Sequence, residues 1–152
     1  MTINVMSKKE CKEVLAHGSI GRLGCSLDNQ PYVIPIYFAY EDDYAYVLST
    51  FGQKIQWMRM NPKVCLQVDE IATQSQWVSV VVNGMYEELP EPQYATEREH
   101  ARTLLQKRHR WWLNALAERQ AKTSEVLIEP LFFRIRISSM TGLRAEEEPA
   151  TG

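Results

Sequence analysis

Hydrophobic residues recur with the period of β-strands over most of the first 90 positions of this chain. Runs of β-branched and aromatic residues between short polar turns predict five strands there, at about 21–27, 32–40, 44–49, 64–69 and 77–85. The turns at 28–30 and 41–43 are of hairpin length, so the first three strands should be antiparallel neighbours. A sixth strand, 132–138, alternates apolar and polar positions and is expected to close the sheet into a barrel.

Two of these strands, 32–40 and 77–85, are apolar on both faces. A curled sheet covers one face, so a ligand, a helix or a second subunit must cover the other. Pro35 cannot donate a backbone hydrogen bond, which predicts a bend or a break in pairing at that position. A break there would leave backbone groups free for a ligand.

The remaining periodic segments predict helices. Ser7 and Glu10 form a capping box, and Gly18 is the expected left-handed C-cap of the helix that follows. A short helix is expected over 54–60, and two more between positions 91 and 120, with a break near His109. We therefore expect one domain over 1–145, followed by a disordered acidic tail, 146–152.

Composition and charge narrow the possible functions. The 152 residues are 45% hydrophobic and carry a net charge of -2, which favours a globular domain with no affinity for nucleic acid or an anionic membrane. Three widely spaced cysteines show no metal-ligand spacing, so no metal site is expected. Neither a secretory signal nor a membrane-spanning run is visible, and a cytoplasmic location is expected.

The segment 44–61 carries the strongest candidate chemistry, because a strand end there leads directly into a helix start. Unpaired amides and the helix dipole at such a junction attract an anion. Ser49 and Thr50 add hydroxyl donors, Gly52 permits a close backbone approach, and Gln53 and Lys54 add an amide and a charge. The sequence predicts a phosphate cradle here. An ordinary helix cap with a solvated lysine remains the alternative.

Five segments together resemble the pyridoxamine 5'-phosphate oxidase-related, FMN-binding split-barrel family, and most of all its nitroimidazole-resistance branch. The segments that carry the likeness are 18–24, 31–38, 49–54, 61–65 and 77–84. The resemblance implies a mainly β fold, a six-stranded antiparallel Greek-key split barrel. It also implies a homodimer with two FMN molecules at the subunit interface.

The resemblance further assigns residues to the flavin. Those implied at the FMN phosphate are Ser49, Thr50, Gln53 and Lys54. Those implied to lay their backbone against the flavin ring are Ile34, Pro35 and Ile36. Trp77 and Ser79 match the place where the other subunit reaches the flavin, and Trp111 or Trp112 is a candidate cover for the ring. Packing in the barrel or between subunits is the alternative role for all three tryptophans.

No nucleophile or acid–base pair stands out, and a flavin protein needs none because the cofactor carries the electron transfer. The chain lacks the arginine-containing C-terminal segment by which true pyridoxamine-phosphate oxidases resemble one another. The implied activity is therefore FMN-dependent reduction of a small electron-poor organic molecule. The alternatives are a flavin-storage module without turnover, a barrel that has lost its cofactor, and a deazaflavin- or haem-binding barrel, the last with His100 or His109 as ligand.

Overall fold

The computed structural model describes the backbone of residues 1–122 and 130–149, and the side chains of residues 1–108 and 130–149. The elements of these ranges are, in chain order, β1 (Thr2–Val5), α1 (Lys8–His17), β2 (Ile20–Leu27), β3 (Gln30–Tyr37), β4 (Ala39–Glu41), β5 (Tyr44–Ser49), α2 (Gln53–Met60), β6 (Lys63–Thr73), β7 (Gln76–Glu88), α3 (Ala95–Lys122) and β8 (Leu131–Glu146).

All the strands belong to one antiparallel sheet, in the order β3-β2-β6-β7-β8-β5-β4, with β1 paired to β8. The two ends of this path, β3 and β4, do not join: β4 pairs only with residues 44–46 of β5, and β3 approaches β5 without pairing with it. The sheet is therefore a barrel with a split between β3 and β5. This confirms the mainly β split-barrel fold and the antiparallel hairpins.

The strand count is eight within the described residues, rather than the six expected. The short β1 was not predicted, and the predicted strand 32–40 is divided into β3 and β4 at Phe38, whose amide donates to Ser19 O at 3.1 Å. The predicted break at Pro35 is wrong, since β2 pairs with β3 along its whole length, with Arg22 opposite Pro35. An edge strand tolerates proline because one side of its backbone needs no partner.

The barrel interior holds the main core. Its fully buried large side chains, contributed by strands on both sides of the split and by α1 and α2, include Leu15, Leu23, Ile55, Met58, Leu66, Phe133 and Ile135. The other side of the sheet is called the outer face below, and the pairing register identifies the residues that lie on it. Leu143 lies opposite Ser79, and Ser79 lies opposite Asp69. Gln67, two residues before Asp69, lies opposite Arg22.

The helix α3 covers β4 and β5, where it buries a second, smaller core that includes Leu48, Ala101, Leu105 and Phe132. It runs unbroken from Ala95 to Lys122, so the predicted break near His109 is wrong. The segment contains neither glycine nor proline, and nothing in it forces a helix to end. Trp111 and Trp112 lie on this helix, but their side chains fall outside the described residues.

The predicted capping box at the start of α1 is confirmed, with reciprocal hydrogen bonds of 3.1 Å between Ser7 and Glu10. The predicted left-handed C-cap is wrong, because Gly18 has an extended backbone with φ -69°. Arg108 of α3 closes this helix end instead, donating to Gly18 O at 2.7 Å and to Ala16 O. Within the described parts of the chain, no helix has the length and apolar character that a membrane span requires.

Candidate functional site

The predicted phosphate cradle lies at the end of β5, where the chain turns into α2. Ser49 is buried and its hydroxyl donates to Thr50 O at 3.1 Å. Gly52 is the N-cap residue of α2, and no side chain caps this helix end. A Cβ on Gly52 would meet nothing within 4 Å, so space lies in front of the helix start. Amides without a capping side chain and open space together suit an anion.

Lys54 provides the positive charge of the cradle. Its side chain is half-buried, and burial lowers the pKa of its ammonium, an effect that the nearby Cys25 thiol partly offsets. Among the described residues, no carboxylate forms an ion pair with Lys54. A partly desolvated cation in the first turn of a helix is unfavourable unless an anion joins it. The geometry favours the cradle over the solvated-lysine alternative.

Phe51, between Thr50 and Gly52, is a feature of this loop that sequence reasoning missed. Its ring is 53% exposed and lies under the guanidinium of Arg59, at 5.2 Å from the ring centroid. Arg59 is in the last turn of α2 and also binds the carboxylate of Glu88. An aromatic residue and an arginine eight positions apart gave no recognisable motif, so the pair emerges only from the fold.

The segment 34–36 lies in β3, across the split from β5. The Ile36 side chain is buried in the barrel core, Ile34 packs against the same core, and Pro35 faces outward. Since β3 pairs only with β2 among the described strands, its other backbone edge faces the split. The backbone is thus the part of this segment that a ligand in the split could reach, and its assignment to the flavin stays a prediction.

Trp77 and Ser79 lie on the outer face, on β7, and β2 and β6 separate them from β3. Ser79 accepts a hydrogen bond from Gln67 Nε2 at 3.1 Å. Trp77 lines an open cavity of about 630 Å³, together with residues such as Ile71 and Arg144. Within one chain, the sheet pairing does not place these two residues next to the cradle. Their assignment to the flavin stays a prediction that requires a second subunit.

No cluster of three or more potential metal ligands occurs in the parts of the chain that the structure describes. His100 Nε2 lies 2.7 Å from Glu41 Oε1, so this imidazole already has a partner. The side chain of His109, the second candidate haem ligand, falls outside the described residues.

A protein-family profile described as pyridoxamine 5'-phosphate oxidase matches residues 7–144. The chain belongs to the pyridoxamine 5'-phosphate oxidase-related family. This family member is 43% identical over 146 residues to an uncharacterised protein of Rhizobium meliloti (strain 1021), with 95% of this chain and 97% of the relative covered. The family assignment made from the five sequence segments is confirmed.

Solved structures of related proteins place this family member among split barrels. A protein of Mesorhizobium loti described as FAD-binding is 41% identical, with 97% of this chain and 99% of that chain covered and a TM-score of 0.79. A Bacteroides thetaiotaomicron protein, described as a candidate 5-nitroimidazole antibiotic resistance protein, is 19% identical, with 97% of this chain and 93% of that chain covered and a TM-score of 0.67. At that identity the second likeness supports the fold alone.

Proposed function

We propose that this chain binds a flavin, with the flavin phosphate in the cradle, and that it acts as an oxidoreductase on a small electron-poor organic molecule. The observation that carries the proposal is the half-buried Lys54 at an uncapped helix start, with no carboxylate partner among the described residues. The description of the Mesorhizobium loti relative as FAD-binding supports a flavin in particular.

In this proposal, Thr50 and Gln53 donate hydrogen bonds to the phosphate, Ser49 does so once its hydroxyl turns away from Thr50 O, and Lys54 supplies a charge-assisted hydrogen bond. The backbone of 34–36 contacts the ring edge across the split. When bound, the flavin supplies hydride or electron transfer, and the protein binds and orients it. Lys54 thus has a reason to be partly buried, because a phosphate would replace the water that its ammonium has lost.

We propose FMN as the cofactor, because Arg59 is paired with Glu88 and Lys54 is the cradle cation without a carboxylate. One unpaired cation suits the single phosphate of FMN. FAD, which has two phosphates, is the second candidate, since the Mesorhizobium loti relative is described as binding it. Titrations with FMN, FAD and riboflavin, which carry one, two and no phosphate groups, would rank their affinities directly.

A homodimer is part of the proposal. Exposed apolar side chains are concentrated on the outer face and its edge strands, which is typical of a surface that another subunit covers; they include Ile3, Val5, Ile20, Val33, Ile71 and Leu143. A two-fold interface there would present Trp77 and Ser79 to the other copy. Sedimentation of wild type and of Ile71→Glu tests this. We expect a dimer for the wild type and a monomer for the variant.

The first experiment on function is the visible absorbance spectrum of the purified protein, followed by flavin titration of any colourless fraction. A bound flavin that is reduced by an external donor and reoxidised by a nitroaromatic compound would support the oxidoreductase. Bound flavin without such reoxidation would indicate a storage module. A protein that neither carries nor binds any of the three flavins would contradict the proposal. A haem absorbance band would indicate that haem, rather than a flavin, is the cofactor.

A further inference from the structure

The side chains of Phe51, Arg59 and Glu88 connect the cradle to the C-terminal end of β7. Arg59 lies between the Phe51 ring, 5.2 Å from its centroid, and the carboxylate of Glu88. It donates to both oxygens of that carboxylate, through Nε to Oε1 and through Nη2 to Oε2 at 3.3 Å. A guanidinium held by two hydrogen bonds has a fixed plane, so the ring that it covers is held as well.

Glu88 is itself held in place by Tyr86. The Tyr86 hydroxyl donates to Glu88 Oε1 at 2.7 Å, and its side chain is only 8% exposed. The ring packs against Phe133 with centroids 5.1 Å apart, and the Tyr86 amide donates to Pro62 O at 2.8 Å, just beyond α2. The barrel core therefore fixes Tyr86, which fixes the carboxylate that orients Arg59.

The protonation states suit this arrangement. Burial and the contact with Glu88 raise the pKa of Tyr86 well above its usual value, so its hydroxyl remains a donor. Burial raises the pKa of Glu88, but the hydrogen bonds from Arg59 and Tyr86 outweigh this effect and the net pKa is lowered. At neutral pH the carboxylate is charged and the phenol is not.

We propose that Tyr86, Glu88 and Arg59 are positioning residues for the cofactor phosphate, acting through Phe51 on the loop 50–52. The inference rests on the proposed flavin function and adds residues to its site. No side chain caps α2 in the structure, and Ser49 bonds to Thr50 rather than to the helix. The Phe51–Arg59 contact links this loop, through Glu88, to the end of β7.

The test compares FMN with riboflavin, which has the same ring system and no phosphate. Glu88→Gln keeps the size of the side chain but removes the charge that holds Arg59. We expect it to raise the Kd for FMN on the order of tenfold, as a misplaced binding group does, while the Kd for riboflavin stays the same. Phe51→Ala should lower FMN affinity similarly, and the double variant should be no weaker than either single one.

Glu87→Gln is the matched control. Glu87, the residue before Glu88, also pairs with arginine: its carboxylate lies 2.9 Å from Arg134 Nε and 3.0 Å from Arg136 Nε. Neither of these arginines contacts Phe51. Glu87→Gln should leave the ratio of FMN to riboflavin affinity unchanged. If Glu88→Gln lowers thermal stability but also leaves that ratio unchanged, the three residues are merely structural and the inference is overturned. If wild-type protein binds FMN no better than riboflavin, the phosphate cradle itself fails, and the inference with it.

Discussion

Replacing Lys54 with methionine should move flavin affinity and apoprotein stability in opposite directions. The substitution keeps an unbranched chain of similar length and removes the charge. A charge-assisted hydrogen bond contributes about 1.5–3 kcal/mol. Because Lys54 is half-buried rather than enclosed, we expect the lower part of that range. A loss of about 1.5–2 kcal/mol corresponds to an increase of about 10- to 30-fold in the Kd for FMN.

The apoprotein should become more stable. Its Lys54 ammonium is partly desolvated, lacks a carboxylate among the described residues, and lies in the first turn of α2, where the helix dipole opposes a cation. After allowance for solvent screening, relief of this cost should amount to about 0.5 kcal/mol. For a domain of this size, that raises Tm by about 1–2 °C.

Flavin fluorescence titration gives the Kd, with riboflavin as the ligand that lacks the phosphate, and calorimetry of the apoprotein gives Tm. Lys12→Met, on the exposed side of α1, is the matched lysine control and should change neither quantity. The reasoning would be refuted by an unchanged Kd for FMN, or by an equal loss of riboflavin affinity. Either result would mean that Lys54 does not bind the phosphate.

Three other predictions concern Lys54, Arg108 and Gly84. Burial lowers the pKa of Lys54 below the unfolded value of about 10.4, so the unfolded chain binds more protons between these two values. Apoprotein stability should therefore rise with pH in that window relative to Lys54→Met, while FMN affinity measured against riboflavin falls. Arg108→Ala removes two hydrogen bonds to the end of α1 and should lower the free energy of unfolding by about 1–3 kcal/mol in a urea titration, with the exposed Lys107→Ala as control. Gly84→Ala places a Cβ against a β8 carbonyl and should cost about 2 kcal/mol by thermal melting, whereas Gly52→Ala, with open space around it, should cost about 0.5 kcal/mol. Equal losses in the two glycine variants would contradict the packing described for Gly84.

The local structure of the proposed cradle could be predicted from the sequence because all of its parts lie within six consecutive residues. The apolar strand was predicted to end at Ser49, as it does in the structure, and the helix begins at Gln53, one residue before its predicted start. Local patterns of this kind are governed by local physical chemistry, namely helix capping, the helix dipole and side-chain period. The burial of Lys54 is not local, since it depends on β2 packing beneath α2.

The errors arose where tertiary contacts override local signals. Gly18 is typical of a left-handed C-cap, but a Cβ there would lie 2.9 Å from Val68 Cγ1 and 3.0 Å from Phe38 Cζ, so close packing is what requires glycine. Arg108, 90 residues away, provides the cap. The strand β1 has only four residues, all of them exposed, and it exists because β8 extends to Glu146 and offers it an edge.

The split between β3 and β5 has a consequence for how copies of this protein can meet. An unpaired strand edge is a template on which another chain can add a strand, and such edges start aggregation unless they are interrupted. β3 is such an edge, but Pro31 and Pro35 deprive it of two amide donors. Another copy would find an incomplete row of hydrogen-bonding groups there. The opening in which we propose a cofactor is thus bordered by a strand that resists growth of the sheet.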